Sequence, residues 1–535
     1  MARVDFDLTS VPQRLFGPDT ARPGYVAARW LFLRGLGLIF FSAFYSLVFQ
    51  IRGLIGPRGI LPAQSYLAEV ARVFGTQRYW IAPSVFWWSA SDRVLMAVCI
   101  LGLLASLLLA LNICPRGMLV VCLIAFLSFI SAARDFASYQ SDGMLLEAGF
   151  ISLFLAPAGW RPRLGITDPP SLASRFLLIW LMFRIYFESG VAKMLGHDPE
   201  WRNFTAMDQY YQNGPLPTWM AWYAHHLPHV FHAATAISTL VLELVLIFAV
   251  FLPRRFRILL FFLITPWQVG IILTSNYAFL NYLVLVLGFL LVDDKFLARL
   301  SPSGLRASMA TESSSITLRQ AERLPRWKAG LRLSVQGFLL TWIFYATSLL
   351  LLSMFTRDVP LPTLPVKVLE PFRIANDFGL FAVMTRDRYE IEFQGSRDGQ
   401  AWTAYPFRYK PQDLKAPPRI YAPYQPRFDW NLWFASLGSW RENTFVVQVE
   451  QRLLTAEPDV LALFAGNPFP GEPPRQVRAV LWQYWFTDWK DRREQGLWWR
   501  RQQVGLYAPT IEREPDGKLD IVEWPERPTP AFPGP

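Results

Sequence analysis

The residues best suited to acid–base or metal chemistry are histidines, and they occupy one short stretch of the chain: His197, His225, His226, His229 and His232. His229 and His232 are spaced i, i+3, so both imidazoles would lie on one helix face, as two metal ligands would require. Pro228 separates them from the earlier histidines and makes one continuous four-histidine face unfavourable. The alternative is a structural segment at a membrane surface. We expect this second arrangement, without a bound metal.

Charged residues also lie inside long apolar segments, where each is costly in hydrocarbon unless it is paired or hydrated. Six form this intramembrane polar set: Arg34, Glu147, Arg184, Glu188, Lys193 and Glu243. Arg184 and Glu188 are spaced i, i+4 and can pair along one helix. Glu243 needs a donor from another helix, for which Arg34 is a candidate. The set could line a polar cavity for a ligand or a proton, or it could be structural ion pairs.

Motifs of nucleotide-binding proteins and hydrolases are missing from the chain, which has neither a Walker loop nor a Gly-x-Ser-x-Gly elbow. The three cysteines, Cys99, Cys114 and Cys122, form no Cys-x-x-Cys pair, which excludes thiol–disulfide chemistry and cysteine-ligated zinc. We therefore predict no catalytic residues and no cofactor, and a protein that is not an enzyme.

The composition indicates what must position these residues. Of the 535 residues, 53% are hydrophobic and only 17% are charged, against about 25% in soluble proteins. The apolar residues are concentrated in runs long enough to cross a bilayer. The net charge of +11 then fits an excess of Lys and Arg in cytoplasmic loops rather than nucleic-acid binding.

The predicted fold is a polytopic α-helical membrane bundle with an N-terminus inside and a C-terminus outside. About nine spans are expected, at 27–50, 94–113, 117–133, 143–158, 176–195, 229–252, 257–274, 277–292 and 333–355. The distribution of Lys and Arg between alternate loops supports this orientation.

The domain boundaries follow from changes in composition. They are a cytoplasmic segment 1–25, a bundle 26–300, a flexible cytoplasmic loop 301–332, a ninth span 333–355, a soluble outside domain 366–510 and a disordered tail 511–535. Strands are predicted at 389–394, 402–410, 477–486 and 498–506, and helical periodicity at 429–437 and 444–464. We expect a mixed α/β domain similar to a β-sandwich.

Aromatic residues are abundant in the outside regions and could bind an apolar partner surface. The candidate contact residues are Trp201, Asp208, His225, His226, Trp430 and Trp433. Tryptophans of this kind could instead fill a core or rest on the membrane surface.

Several segments resemble the lipase maturation factor family, in order, from about residue 25 to 510. They are 30–39, 140–149, 183–193, Trp201-Arg202, Met207-Asp208, His225-His226, 376–381, 394–399, 426–435, 467–469 and 496–500. The resemblance implies a multi-pass protein of the endoplasmic reticulum membrane that helps secreted homodimeric lipases fold and assemble. The outside regions here lack cysteines, which would fit a bacterial member in a plasma membrane.

A second resemblance covers 186–201 and is to the membrane domain of vitamin K-dependent carboxylases. It implies that Lys193 could act as a base, whereas the simpler interpretation is a lysine that extends from a helix end to the interface. The predicted function is therefore a chaperone-like maturation factor for a secreted lipase or a similar secreted protein. A carboxylase-like enzyme or carrier is the alternative.

Overall fold

A computed structural model describes residues 11–17, 24–300, 326–356, 358–514 and 517–526. Most of the predicted loop 301–332, most of the segment 1–25 and the end of the tail therefore lie outside the described residues. The last seven residues of that loop, 326–332, belong to a helix.

The membrane half is mainly helical in the part that is described. Its α-helices are α1 Val11–Phe16, α2 Val26–Ile55, α3 Ala63–Phe74, α4 Arg78–Ile81, α5 Asp92–Ala110, α6 Pro115–Ala132, α7 Gln140–Leu155, α8 Leu172–Leu195, α9 Pro199–Arg202, α10 Ala206–Asn213, α11 Trp219–His225, α12 His229–Leu244, α13 Arg254–Thr274, α14 Leu280–Gly288, α15 Asp294–Leu300 and α16 Arg326–Ser353. Short 3₁₀ helices lie at Gly75–Gln77, Val85–Trp87, Arg134–Ala137, Leu246–Phe251 and Phe289–Leu291.

Six helical segments in the described residues are long and apolar enough to cross a membrane: Val26–Ile55, Asp92–Ala110, Pro115–Ala132, His229–Phe251, Arg254–Thr274 and Gly330–Ser353. Helices are also present at the other three predicted spans, but they do not meet these criteria. α7 has only 16 residues, the apolar helix Leu280–Leu291 is short, and α8 carries four charged residues. The multi-pass architecture is thus confirmed, while the count of nine stays a prediction.

The bundle is built around α2, which packs along α5 and also contacts α14. A side chain at Gly37 would place its Cβ 2.6 Å from the backbone nitrogen of Ala110, and one at Gly35 would meet Val286. These glycines therefore allow helices to approach closely, as small residues commonly do in membrane bundles.

The C-terminal domain consists of one antiparallel sheet and several short helices. The helices are α17 Leu364–Leu369, α18 Arg427–Ala435, α19 Phe445–Leu454, α20 Pro458–Leu461 and α21 Trp489–Glu494, with a 3₁₀ turn at Glu370–Phe372. The strands are β1 Arg388–Ser396, β2 Thr403–Ala404, β3 Gln476–Phe486, β4 Trp499–Leu506, β5 Thr510–Arg513 and β6 Leu519–Glu523. β3 is central: β1 pairs along one side of it, and β4 and β5 divide the other side.

Two features of this domain correct the sequence-based expectations. The described strands form a single six-stranded sheet covered by helices rather than the two facing sheets of a sandwich, because alternation identifies strands but not their partners. β5 and β6 also lie where a disordered tail is predicted. Ile511 is buried in β5, so this apolar side chain contributes to the core despite the surrounding charged residues.

Candidate functional site

The charges of α7 and α8 form a buried group at one end of the bundle. The guanidinium of Arg184 pairs with Glu147 and lies 3.8 Å from Glu188, so the contact expected from the i, i+4 spacing is present. All three side chains are buried, with at most 1% exposed. Charges buried to this extent are costly unless they are paired and hydrogen-bonded.

The missing partners come from a segment that lies far along the chain, at residues 374–384. The backbone nitrogen of Asn376 and its Nδ2 donate to Glu147 Oε2 at 3.1 and 3.0 Å, and Arg184 donates to the Asn376 carbonyl at 2.6 Å. The backbone nitrogen of Phe378 donates to Glu188 at 2.8 Å. The intramembrane charges thus hold the first segment of the C-terminal domain against the bundle.

Lys193 continues the same line of contacts. Its Nζ lies 2.9 Å from Glu243 Oε2 and also donates to the Leu380 carbonyl at 2.9 Å. The expected partner of Glu243 was Arg34, but Arg34 donates to the Trp30 carbonyl of its own helix at 2.9 Å. Spacing within a helix identifies a face and not the neighbouring helix, which explains this error.

A second set of contacts joins α7 to α18. Arg427 donates to both carboxylate oxygens of Asp142 at 2.8 and 2.7 Å, and to the Phe136 carbonyl at 2.8 Å. Tyr139 donates to Asn431 Oδ1 at 2.5 Å. Together with the contacts of residues 374–384, these bonds form a continuous polar junction between bundle and domain, which we call the seam.

The three predicted contact tryptophans are not exposed. Trp201, Trp430 and Trp433 are 1%, 5% and 7% exposed. Trp201 Nε1 donates to the Phe381 carbonyl at 3.0 Å, and the Trp430 ring packs edge-on against Tyr139. Trp201 and Trp430 therefore stabilise the interface between the two halves, and Trp430 itself is not part of an exposed face.

The histidines and Asp208, which could have formed an acid–base or metal site, hold together the loop between α8 and α12. Asp208 accepts from His229 Nδ1 at 2.9 Å and from His232 Nδ1 at 2.7 Å, so one carboxylate connects α10 with the start of α12. His226 Nδ1 lies 2.7 Å from the Trp222 carbonyl. Within the described residues, no three His, Cys, Asp or Glu side chains are grouped to hold a metal ion.

His225 has a different environment from its neighbours. Its ring packs against Phe486 of β3, and its Nδ1 is buried without a hydrogen-bond partner among the described residues. Burial, aided by the nearby His226, lowers the pKa of His225 to about 4. The neutral imidazole is therefore part of the packing between the loop and the C-terminal domain.

An exposed aromatic surface lies at this junction, in residues that sequence inspection did not select. Trp219, Tyr223 and Trp489 are 42%, 44% and 45% exposed, and we call them the aromatic patch. Tyr223 contacts both tryptophan rings, and the buried Trp222 lies behind them, 4.7 Å from the Trp489 ring. One element from each side of the junction, α11 and α21, builds this patch, so neither half has it alone.

The pairing of the buried charges bears on the alternatives of a lysine base and of a polar cavity for a ligand or a proton. Lys193 is 2% exposed and its ammonium is paired with a carboxylate, a poor setting for a lysine base, which must be neutral and accessible. The other buried charges, apart from Arg34, are closed into pairs at the seam rather than spread along a path across the bundle. Both observations favour a structural role for these charges.

Comparison with known proteins covers both halves of the chain. A family model described as the lipase maturation factor transmembrane domain matches residues 27–299, and one described as the lipase maturation factor C-terminal domain matches residues 374–509. No solved structure matches the chain.

Curated relatives match over nearly the whole length. Lipase maturation factor 1 from Bos taurus is 33% identical over 97% of this chain and 94% of its own length. Its counterpart from Homo sapiens is 32% identical over 91% of this chain and 88% of its own, and human lipase maturation factor 2 is 31% identical over 90% and 82%. This chain therefore belongs to the lipase maturation factor family.

Proposed function

We propose that this protein is a chaperone-like maturation factor that assists the folding and assembly of secreted lipases, without catalysing a reaction itself. Family membership through both the bundle and the C-terminal domain carries the proposal. The client would be a lipase or a similar secreted protein. No observation on Lys193 or its surroundings favours the carboxylase-like alternative.

The seam supports this proposal physically. Buried ion pairs and backbone hydrogen bonds fix the C-terminal domain on the bundle, so the aromatic patch has a defined position relative to the membrane. Exposed aromatic side chains on a rigid support bind apolar surface at low entropic cost. A client held there would be shielded from aggregation until its subunits assemble.

Of the residues predicted to contact a client, Asp208, His225 and His226 act in this proposal by positioning the patch. Asp208 ties α10 to α12, and His226 packs on Trp222 with ring centroids 4.2 Å apart. The contact itself is made by Trp219, Tyr223 and Trp489. The patch thus replaces the predicted Trp430 surface.

The test is maturation of a secreted homodimeric lipase in cells that express only this factor. Trp219→Ser/Tyr223→Ser is expected to reduce secreted lipase activity at least tenfold at equal factor abundance, with loss of the co-purified lipase. The matched control is Trp160→Ser, since Trp160 is 69% exposed in the loop between α7 and α8. Full activity and full co-purification in the double variant would refute the patch as the contact site.

The location follows from the same proposal. The C-terminal domain would face the lumen of the endoplasmic reticulum in a eukaryotic cell, or the outside of the plasma membrane in a bacterium, and the N-terminus would be cytoplasmic. An Asn-x-Ser acceptor appended after residue 535 should be glycosylated in microsomes, and one placed at 159–165 should not. The reverse pattern would contradict this orientation.

A further inference from the structure

A cavity of about 510 Å³ lies between α8, α12, α13 and α14, next to the seam. Apolar side chains make up most of its wall, among them Ile185, Leu263 and Ile271, and Trp201 and Phe381 line it as well. Small-molecule sites usually have roughly 300–1,000 Å³ and a mainly apolar wall with a few polar groups. This cavity has the size and character of such a site.

The helices around the cavity indicate where an occupant would enter. α12 with its 3₁₀ extension and α13 are the least buried of the candidate spans. Only 28% and 17% of the 18-residue apolar stretch of each is buried within the protein. Apolar side chains such as Val241, Phe262 and Val269 remain exposed on them and would face hydrocarbon. α13 also contains Pro266, which lines the cavity and removes one helical hydrogen bond. A cavity bounded by lipid-facing helices is reached from the bilayer, so its occupant is a lipid.

The polar groups in the wall define the head group. The three protons of the Lys193 ammonium are directed to Glu243 Oε1, the Leu380 carbonyl and the Ser189 carbonyl, at 3.1, 2.9 and 3.4 Å. Glu243 Oε2 lies 2.9 Å from the same Nζ and shares the ion pair, but it accepts no hydrogen bond from the described residues because the three protons are directed elsewhere. The ion pair offers an occupant one acceptor oxygen and no free cationic donor.

A donor is supplied by a second residue of α8. The hydroxyl of Tyr186 accepts a hydrogen bond from Gln268 Nε2 at 2.7 Å, which leaves its own proton for an occupant. Gln268 in turn accepts from Asn281 Nδ2 at 2.6 Å, so its amide is held in this orientation. Glu243 thus presents an acceptor and Tyr186 a donor in a mainly apolar wall.

We propose that this cavity binds an uncharged lipid with one acyl chain and a hydroxyl-bearing head group, of the monoacylglycerol class. Hydroxyl groups both donate and accept, so such a head group can donate to Glu243 and accept from Tyr186. A fatty-acid carboxylate would instead face the Glu243 carboxylate, whose charge is already balanced by Lys193, with no further cation in the wall to compensate. The proposal goes beyond the maturation function and does not depend on it.

The test uses the full-length protein in lipid nanodiscs and a monoacylglycerol with a photoactivatable diazirine in its chain. Gly270 lines the cavity, and a Cβ built there meets no atom within 4 Å, so Gly270→Leu would fill the space without displacing protein. Gly330 on α16 is equally free of neighbours and is not part of the cavity wall, which makes Gly330→Leu the matched control.

We expect saturable labelling of α12 and α13 in the wild type and in Gly330→Leu, and at least tenfold less in Gly270→Leu. Tyr186→Phe keeps the ring and removes the donor, and should weaken labelling about fivefold, as expected for one hydrogen bond. Unlabelled monoacylglycerol should compete, whereas oleate and phosphatidylcholine should not. Undiminished labelling of Gly270→Leu, or equal competition by oleate, would overturn the proposal.

Discussion

The paired charges between Arg427 and Asp142 provide the most direct test of the seam. Both side chains are buried, with 0% and 1% exposed, and Arg427 also satisfies the Phe136 carbonyl. In Arg427→Met the carboxylate stays in the interior without its counter-ion. Breaking a buried pair from one side costs about 3–5 kcal/mol, and each 1.4 kcal/mol is about tenfold. The folded-to-unfolded ratio should fall by roughly two to three and a half powers of ten.

The assay is denaturant unfolding of the purified protein in detergent, followed by Trp fluorescence and by protease cleavage within 374–384. Arg475→Met serves as the control, because Arg475 is 63% exposed in its pair with Glu512 and should contribute at most about 1 kcal/mol. Combining Arg427→Met with Asp142→Leu should recover most of the lost free energy, since no unpaired charge remains. Equal, small losses in Arg427→Met and Arg475→Met would refute the reasoning.

Two further predictions concern the residues around this junction. His225 has a lowered pKa, so the unfolded chain binds more protons than the folded one between about pH 4 and 6.5. The free energy of unfolding should therefore decrease as pH falls through this window. Denaturant titrations at several pH values should show a flatter pH dependence for His225→Phe. Gly143→Ala would place a Cβ 2.6 Å from Asn376 Oδ1. This variant should unfold more readily in the same assay, although Ala favours a helix over Gly by about 1 kcal/mol. The control Gly270→Ala, whose Cβ meets no atom within 4 Å, should not be destabilised. A stabilised Gly143→Ala would contradict the packing between Gly143 and Asn376.

Much of the architecture could be predicted from local patterns. Apolar runs identify the six helices that are long and apolar enough to cross a membrane, alternation identifies β1 and β3, and the i, i+4 spacing identifies the Arg184–Glu188 contact. Pro458 explains one difference, because it separates α19 from α20 where a single helix over 444–464 was expected. Local patterns are informative when the partner is near in sequence.

The candidate site was harder to predict because its partners are distant. Glu147 and Glu188 each accept a hydrogen bond from a backbone N–H group of residues 374–384, and a backbone group has no sequence signature. Trp430 and Trp489 are equivalent by residue type, yet one is buried and the other is 45% exposed, since burial depends on how the halves dock. Pairing across the junction is a property of the assembled fold.

The seam also determines when, during translation, the buried charges of the bundle can find their partners. Asn376 follows Arg184 by 192 residues, and Arg427 follows Asp142 by 285. At a translation rate of about 5–20 residues per second, roughly 10–40 s pass between the synthesis of Arg184 and that of the Asn376 carbonyl that it binds. Helices inserted early in translation therefore keep unsatisfied charges until the last third of the polypeptide is made. The folding of the bundle is thus completed only when the C-terminal domain has been made.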